Sequence, residues 1–158
     1  MSGFIGLISD THGVLRPEAL AALRGSRLIL HAGDVGPGRI LDALAEIAPV
    51  RAVYGNTDMG ELRRLPERDI VDIGGGVQVC LIHILDDLDL DPAGAGCAAV
   101  VYGHTHVPKV ERSAGVWYVN PGSAGPRRFK LPVTVARMYV EPAGLRTEIV
   151  TLEVAETS

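Results

Sequence analysis

Cysteine is scarce in this chain. Cys80 and Cys97 are the only two in 158 residues, and neither belongs to a Cys-x-x-Cys pair. A thiolate zinc site and a disulfide framework therefore have nothing to build on, and two reduced, buried thiols are expected. Basic charge is also short: the net charge is −4, the pI is near 5.7, and Arg63-Arg64 and Arg127-Arg128 are the adjacent basic pairs. Such a chain is not built to hold long nucleic acid. No apolar run approaches the roughly 20 residues of a bilayer span, and no basic segment leads into a signal-like apolar stretch, so no membrane contact and a cytoplasmic location are expected. Repeats and low-complexity linkers are missing too. What remains is ordinary globular composition, 47% hydrophobic, read as one domain over residues 1–158.

The apolar runs are short and separated by turn signals. Phe4 to Ser9 is apolar on both parities, as a parallel strand covered on both faces would be. A helix over Pro17 to Leu23, a strand at Leu28 to His31, a helix over Arg39 to Ile47 and a strand at Val50 to Tyr54 complete a β-α-β-α-β opening. The second half reads as hairpins: Ile70–Ile73 with Val77–Ile82 around Gly74-Gly75-Gly76, Val107–Arg112 with Val116–Val119, and Thr134–Val140 with Arg146–Val154. The pattern is α/β, with two packed sheets flanked by helices.

Polar residues gather at the strand exits, where open α/β sheets build their sites. Asp10-Thr11-His12 follows the first strand, Gly33-Asp34 the second and Gly55-Asn56-Thr57-Asp58 the third; His83 and Gly103-His104-Thr105-His106 follow later ones. Asp10, His12, Asp34, Asn56, His83, His104 and His106 offer oxygen and nitrogen donors without a thiolate. That is too many for one tetrahedral ion and suits two divalent ions, Mn, Ni, Fe, Co or Zn, sharing a bridging carboxylate. Two such ions about 3.5–4 Å apart activate water and stabilise both oxygens of a phosphoryl displacement.

In this order the motifs Asp-x-His, Gly-Asp, Gly-Asn, His and Gly-His-x-His resemble the calcineurin-like metallophosphoesterases. The short length and Asn120-Pro121-Gly122-Ser123 are similar to the small prokaryotic phosphodiesterase branch. The resemblance implies a four-layer α/β/β/α sandwich of two mixed sheets and hydrolysis of a small phosphodiester by a metal-bridging hydroxide. It also implies that Asp10, His12 and His106 hold one ion, that Asn56, His83 and His104 hold the other, and that Asp34 bridges them. Asp34, Asn56 and His104 are thus the expected catalytic residues, with Thr57, Asp58 and Arg127 on the substrate side.

Two positions depart from the family pattern. Many larger members carry a histidine where this chain has Thr57, and general acids are worth roughly 10²–10⁴-fold in rate, so activated diesters are the expected substrates. Ile84 stands after His83 where the family has glycine. Among the remaining features, His31 reads as a packing or ligand-orienting residue. Asn120 to Ser123 reads equally as a turn or as support for the site, and Arg127-Arg128 as an exposed pair or a phosphate fork. Asp87-Leu88-Asp89-Leu90-Asp91 imitates the start of a calcium loop, but Pro92 and Ala98 occupy positions where such a loop needs Gly and Glu. The competing reading is a catalytically weak scaffold on the same fold, similar to the retromer subunit. A homodimer or homotetramer is compatible with the exposed hairpins.

Overall fold

The structure is a computed structural model that describes residues 3–127 and 130–154; Arg128 lies outside the described residues. Strands β1 (Phe4–Ile8), β2 (Ser26–His31) and β3 (Val50–Ala52) alternate with helices α1 (Pro17–Leu23) and α2 (Arg39–Ala45). There follow β4 (Arg68–Asp72), β5 (Gln78–Ile82), β6 (Cys97–Val101), β7 (Lys109–Ser113), β8 (Val116–Asn120), β9 (Thr134–Glu141) and β10 (Gly144–Thr151). They form two five-stranded mixed sheets, ordered β10-β9-β1-β2-β3 and β4-β5-β6-β8-β7. β1, β2 and β3 run parallel in the first sheet, and β5, β6 and β8 run parallel in the second. The three hairpins expected from the sequence are present as β4–β5, β7–β8 and β9–β10.

Strand parity decides what each face buries. Ile5 and Leu7 of β1, Val79 and Leu81 of β5, and Ala136 and Met138 of β9 point between the sheets and make the shared core. Ile8, Ile29 and Val135 point the other way, onto Leu23 of α1 and Ile40 and Leu44 of α2. Each helix is only seven residues long, too short to be stable alone, so this apolar contact holds it in place. The outer face of the second sheet, Cys80, Ile82, Val100 and Tyr102, is covered more thinly. Among the described residues its lid is the loop carrying Leu85 and Leu88, with a 3-10 turn at Leu85–Asp87 in place of an α-helix. Both cysteines are free and buried there, and burial pushes the Cys80 thiol up to about 11.

The parallel strands bring their carboxyl ends to one edge, and backbone bonds stitch that edge across both sheets. Asp10 N–H donates to Gly33 O, Gly103 N–H to His83 O, and Ala124 N–H to Ser9 O, the last joining the exit of β8 to the exit of β1. No described helix is long and apolar enough to cross a membrane.

Candidate metal centre

At that edge the strand-exit side chains converge as two groups. The ligand atoms of Asp10, His12 and His106 lie within 4.8 Å of one another, as do those of Asp34, His83 and His104. Asn56 joins the second group, its Oδ1 3.0 Å from His83 Nε2. Asp34 Oδ2 lies between the groups, 3.1 Å from His83 Nε2 and 3.7 Å from His12 Nε2. All seven side chains singled out from the sequence as metal ligands are therefore together.

Each carboxylate has one oxygen committed to the protein and one left facing the imidazoles. Asp10 Oδ2 accepts from Ser9 Oγ at 2.6 Å and His104 N–H at 3.1 Å. Its Oδ1 is buried without a hydrogen-bond donor, 3.3 Å from His106 Nε2. Asp34 Oδ1 accepts from Thr57 N–H at 2.9 Å, which frees Oδ2. His83 Nδ1–H donates to Ala32 O at 2.7 Å, which aims Nε2 inward at the oxygens of Asn56 and Asp34. Burial opposes protonation of the ring, but contact with Asp34 and the Asp10 charge outweigh it and raise its pKa. The buried Asp10 Oδ1 with no hydrogen-bond donor, within a set of carboxylate, amide and imidazole donors, fits a divalent transition metal.

The electrostatics agree. Burial opposes ionisation of Asp10, but contacts with His106 and His12, the nearby His83 and the Ser9 hydroxyl hold it far below the usual carboxylate range. Burial likewise opposes ionisation of Asp34, and His83 and Thr57 outweigh it, bringing that group down to about 2. Both are anions at neutral pH, as metal ligands must be.

The backbone is strained where the ligands sit. Asp10, His12, Asp34, His104 and His106 have φ between 46° and 74°, and Ala114 in the β7–β8 turn is the other described non-glycine residue with positive φ. Such conformations cost on the order of 1–3 kcal/mol each and persist where surrounding structure over-determines them. The motif glycines supply part of that structure. A Cβ on Gly103 would strike Ser9 Oγ and Asp10 Oδ2, and one on Gly55 would strike the amide and carboxylate of Asp34. Each glycine is thus the seat for a ligand carried by a different loop. Ile84, by contrast, needs no glycine: its φ of −109° and ψ of 114° are ordinary extended values.

Three support residues extend beyond the ligands. His31 accepts Gly33 N–H on Nδ1 at 3.1 Å, so Nε2–H donates to Thr11 Oγ1 at 3.0 Å, and that hydroxyl donates to Val35 O at 2.6 Å. The chain ties the Asp10 loop to the Asp34 loop. Asn120 Nδ2 donates to Gly103 O and Thr105 Oγ1, holding the two-histidine loop, and Ser123 Oγ donates to Asp10 O. Ser9 was not among the residues singled out from the sequence; its place directly before Asp10 was the only signal. Asn120 and His31 were singled out, and both support the site rather than merely filling space.

One substrate-side expectation, Asp58, needs correction. Asp58 is 1% exposed, and its carboxylate accepts from the amides of Val35, Gly36 and Gly55. With its oxygens consumed inside the fold it cannot reach a substrate; it is a clamp between the Asp34 and Asn56 loops. Thr57 contributes its backbone N–H to Asp34 while the residue itself is exposed. Arg127 is exposed on the loop that follows Ser123, two residues beyond Gly125.

His31 gives a pH signature. Burial, the dominant influence, brings it down to about 4, so the folded protein keeps it neutral while the unfolded chain protonates it near 6.5. Its stabilisation is full above about 6.5 and falls away toward 4, by at most roughly 3 kcal/mol. His31→Gln in chelated protein should flatten the decline in Tm between pH 6.5 and 4.5; parallel declines in variant and wild type would rule this out.

Comparison with known proteins accords with this geometry. The family model of the calcineurin-like phosphoesterase superfamily domain matches residues 4–143. A probable metallophosphoesterase of Methanothermobacter thermautotrophicus is 35% identical, over 92% of this chain and 91% of that protein. Two solved structures share the fold at lower identity. A novel archaeal phosphodiesterase superposes with a TM-score of 0.76 at 23% identity, over 93% of this chain and 99% of that one. Vacuolar protein sorting 29 of Cryptosporidium parvum does so with 0.73 at 19%, over 97% and 99%. With the motifs in order, the donors assembled at one sheet edge and the match covering most of its length, the chain belongs to the calcineurin-like phosphoesterase superfamily.

Proposed function

We propose that this chain is a dinuclear metal-dependent phosphodiesterase. The observation that carries the reading is the pair of adjacent donor groups, with Asp34 Oδ2 of one lying 3.7 Å from His12 Nε2 of the other. Asp10, His12 and His106 would hold one divalent ion, Asn56, His83 and His104 the other, and Asp34 both. When bound, two such ions lower the pKa of water and neutralise charge on the phosphoryl group. In the reaction a water oxygen bonds to phosphorus, the P–O bond to the leaving group breaks, and the proton released by water ends on the leaving oxygen.

The protein's own residues set which esters suit it. Thr57 N–H and Ala32 O orient Asp34 and His83, while His104 stands exposed at the mouth. A threonine hydroxyl at position 57 is too weak an acid to deliver the last proton, so leaving groups of low pKa are favoured. The mouth also carries Glu67 and Asp87 with Arg63, a charge balance that repels a dianionic monoester more than a monoanionic diester.

Hydrolysis of an activated aryl phosphodiester with added Mn²⁺ tests the reading, and no turnover above the metal-free control would sink it. Thr57→His should raise the rate for alkyl leaving groups at least about tenfold and that for p-nitrophenolate much less; equal gains would argue against a missing acid. Because vacuolar protein sorting 29 shares the fold, fold alone does not separate an enzyme from a scaffold. Metal analysis of protein grown with Mn²⁺ does: about two ions per chain are expected, and none would leave the scaffold reading standing.

A further inference from the structure

Beside Asn56 and His83 a cleft of about 270 Å³ opens, walled by Tyr54, Arg63, Glu67, Ile84 and Asp87. It continues past Glu67 and Asp87 toward Arg68 and Asp89, which are paired with each other. It therefore leads away from the donor groups, where one ester arm of a bound diester would project. The Arg63 guanidinium lies 4.6 Å from the centre of the Tyr54 ring. With one face on tyrosine and the residue exposed, the guanidinium offers a flat second surface on which a planar heterocycle can stack. Glu67 and Asp87 supply acceptors for N–H and O–H donors, and their charge disfavours a polyphosphate arm.

We infer that this cleft is the subsite for a nucleoside arm of the substrate, with Arg63 backed by Tyr54 as its stacking platform. The inference rests on the phosphodiesterase reading for its place in catalysis, but nucleoside binding can be measured without turnover. Two substrates with one leaving group separate the arms: p-nitrophenyl thymidine 5′-phosphate and methyl p-nitrophenyl phosphate. The wild type should prefer the thymidine ester in kcat/KM by about tenfold, the scale of one base stacked on a planar side chain. Arg63→Ala and Tyr54→Ala should bring that ratio close to one, mainly through KM, while Tyr54→Phe, which keeps the ring, should retain it.

In chelated protein, thymidine titration should shift the amide resonances of residues 54, 63, 67 and 84 in the wild type and not in Arg63→Ala. An unchanged ratio in Arg63→Ala, or no thymidine-induced shifts in the wild type, overturns the subsite. Failure to hydrolyse either ester overturns the phosphodiesterase reading instead, and the titration then decides the subsite alone.

Discussion

Asp34→Asn is expected to lower kcat/KM for an activated aryl diester at least about 10³-fold with Mn²⁺ present, because paired ions supply several kcal/mol of charge stabilisation and each 1.36 kcal/mol is tenfold. Asp34 Oδ2 lies 3.1 Å from His83 Nε2 and 3.7 Å from His12 Nε2, while Asp10 Oδ1, 3.3 Å from His106 Nε2, is more distant from His83 at 3.9 Å. In the amide, Oδ1 still accepts from Thr57 N–H, which turns the Nδ2 hydrogens toward His83 Nε2. That arrangement keeps a hydrogen bond to His83 but cannot serve as an anionic ligand to a cation. The chelated variant should therefore stay folded, and the variant grown with Mn²⁺ should retain less than the full complement of metal. His104→Ala should also impair the reaction, but less, since it removes a single exposed ligand. Wild-type rates in Asp34→Asn, with normal metal content, would overturn the assignment of a bridging carboxylate.

Asp58→Ala should be the most destabilising single change near the site that touches no ligand. The carboxylate receives the amides of Val35 at 2.9 Å, Gly36 at 3.1 Å and Gly55 at 2.9 Å. Without it, buried and half-buried N–H groups lose their acceptor at about 1–3 kcal/mol each, a loss of about 4 kcal/mol in all once partial rehydration is allowed for. For a chain of this size that lowers Tm by roughly 8–16 °C. Asp58→Asn should fall between, because one oxygen survives but its amide hydrogens face Gly55 N–H. Activity should drop in parallel, since the clamp sets the spacing between Asp34 and Asn56. Thermal unfolding and steady-state kinetics distinguish this from a substrate contact, which would raise KM and leave Tm unchanged.

Much of this was legible in the residues themselves. Apolar parity marked β1 as buried on both faces, and Gly74-Gly75-Gly76 marked the turn between β4 and β5, because both signals act within a few residues. The ligands were legible for the same reason: parallel strands end at one edge, so Asp10, Asp34, Asn56, His83 and His104 each announce themselves at a strand exit. The layer over the second sheet was less so. Leu85 and Leu88 cover Cys80 and Val100 from a loop, and nothing local distinguishes that from a helix packed on the same face.

Asp58 shows most clearly where local reading stops. Beside Thr57, in a polar loop, it has the composition of a solvent-facing residue, and only the passage of residues 35 and 36 overhead turns it inward. The sequence by itself determined the donor types, their order and the sheet edge on which they meet, since these follow from side-chain chemistry and strand periodicity. Tertiary structure alone decided which oxygen of each carboxylate is left for a cation and which amides Asp58 clamps. Those outcomes depend on contacts between loops far apart in the chain and on positive φ values at the ligands, which no short stretch of sequence can impose on its own.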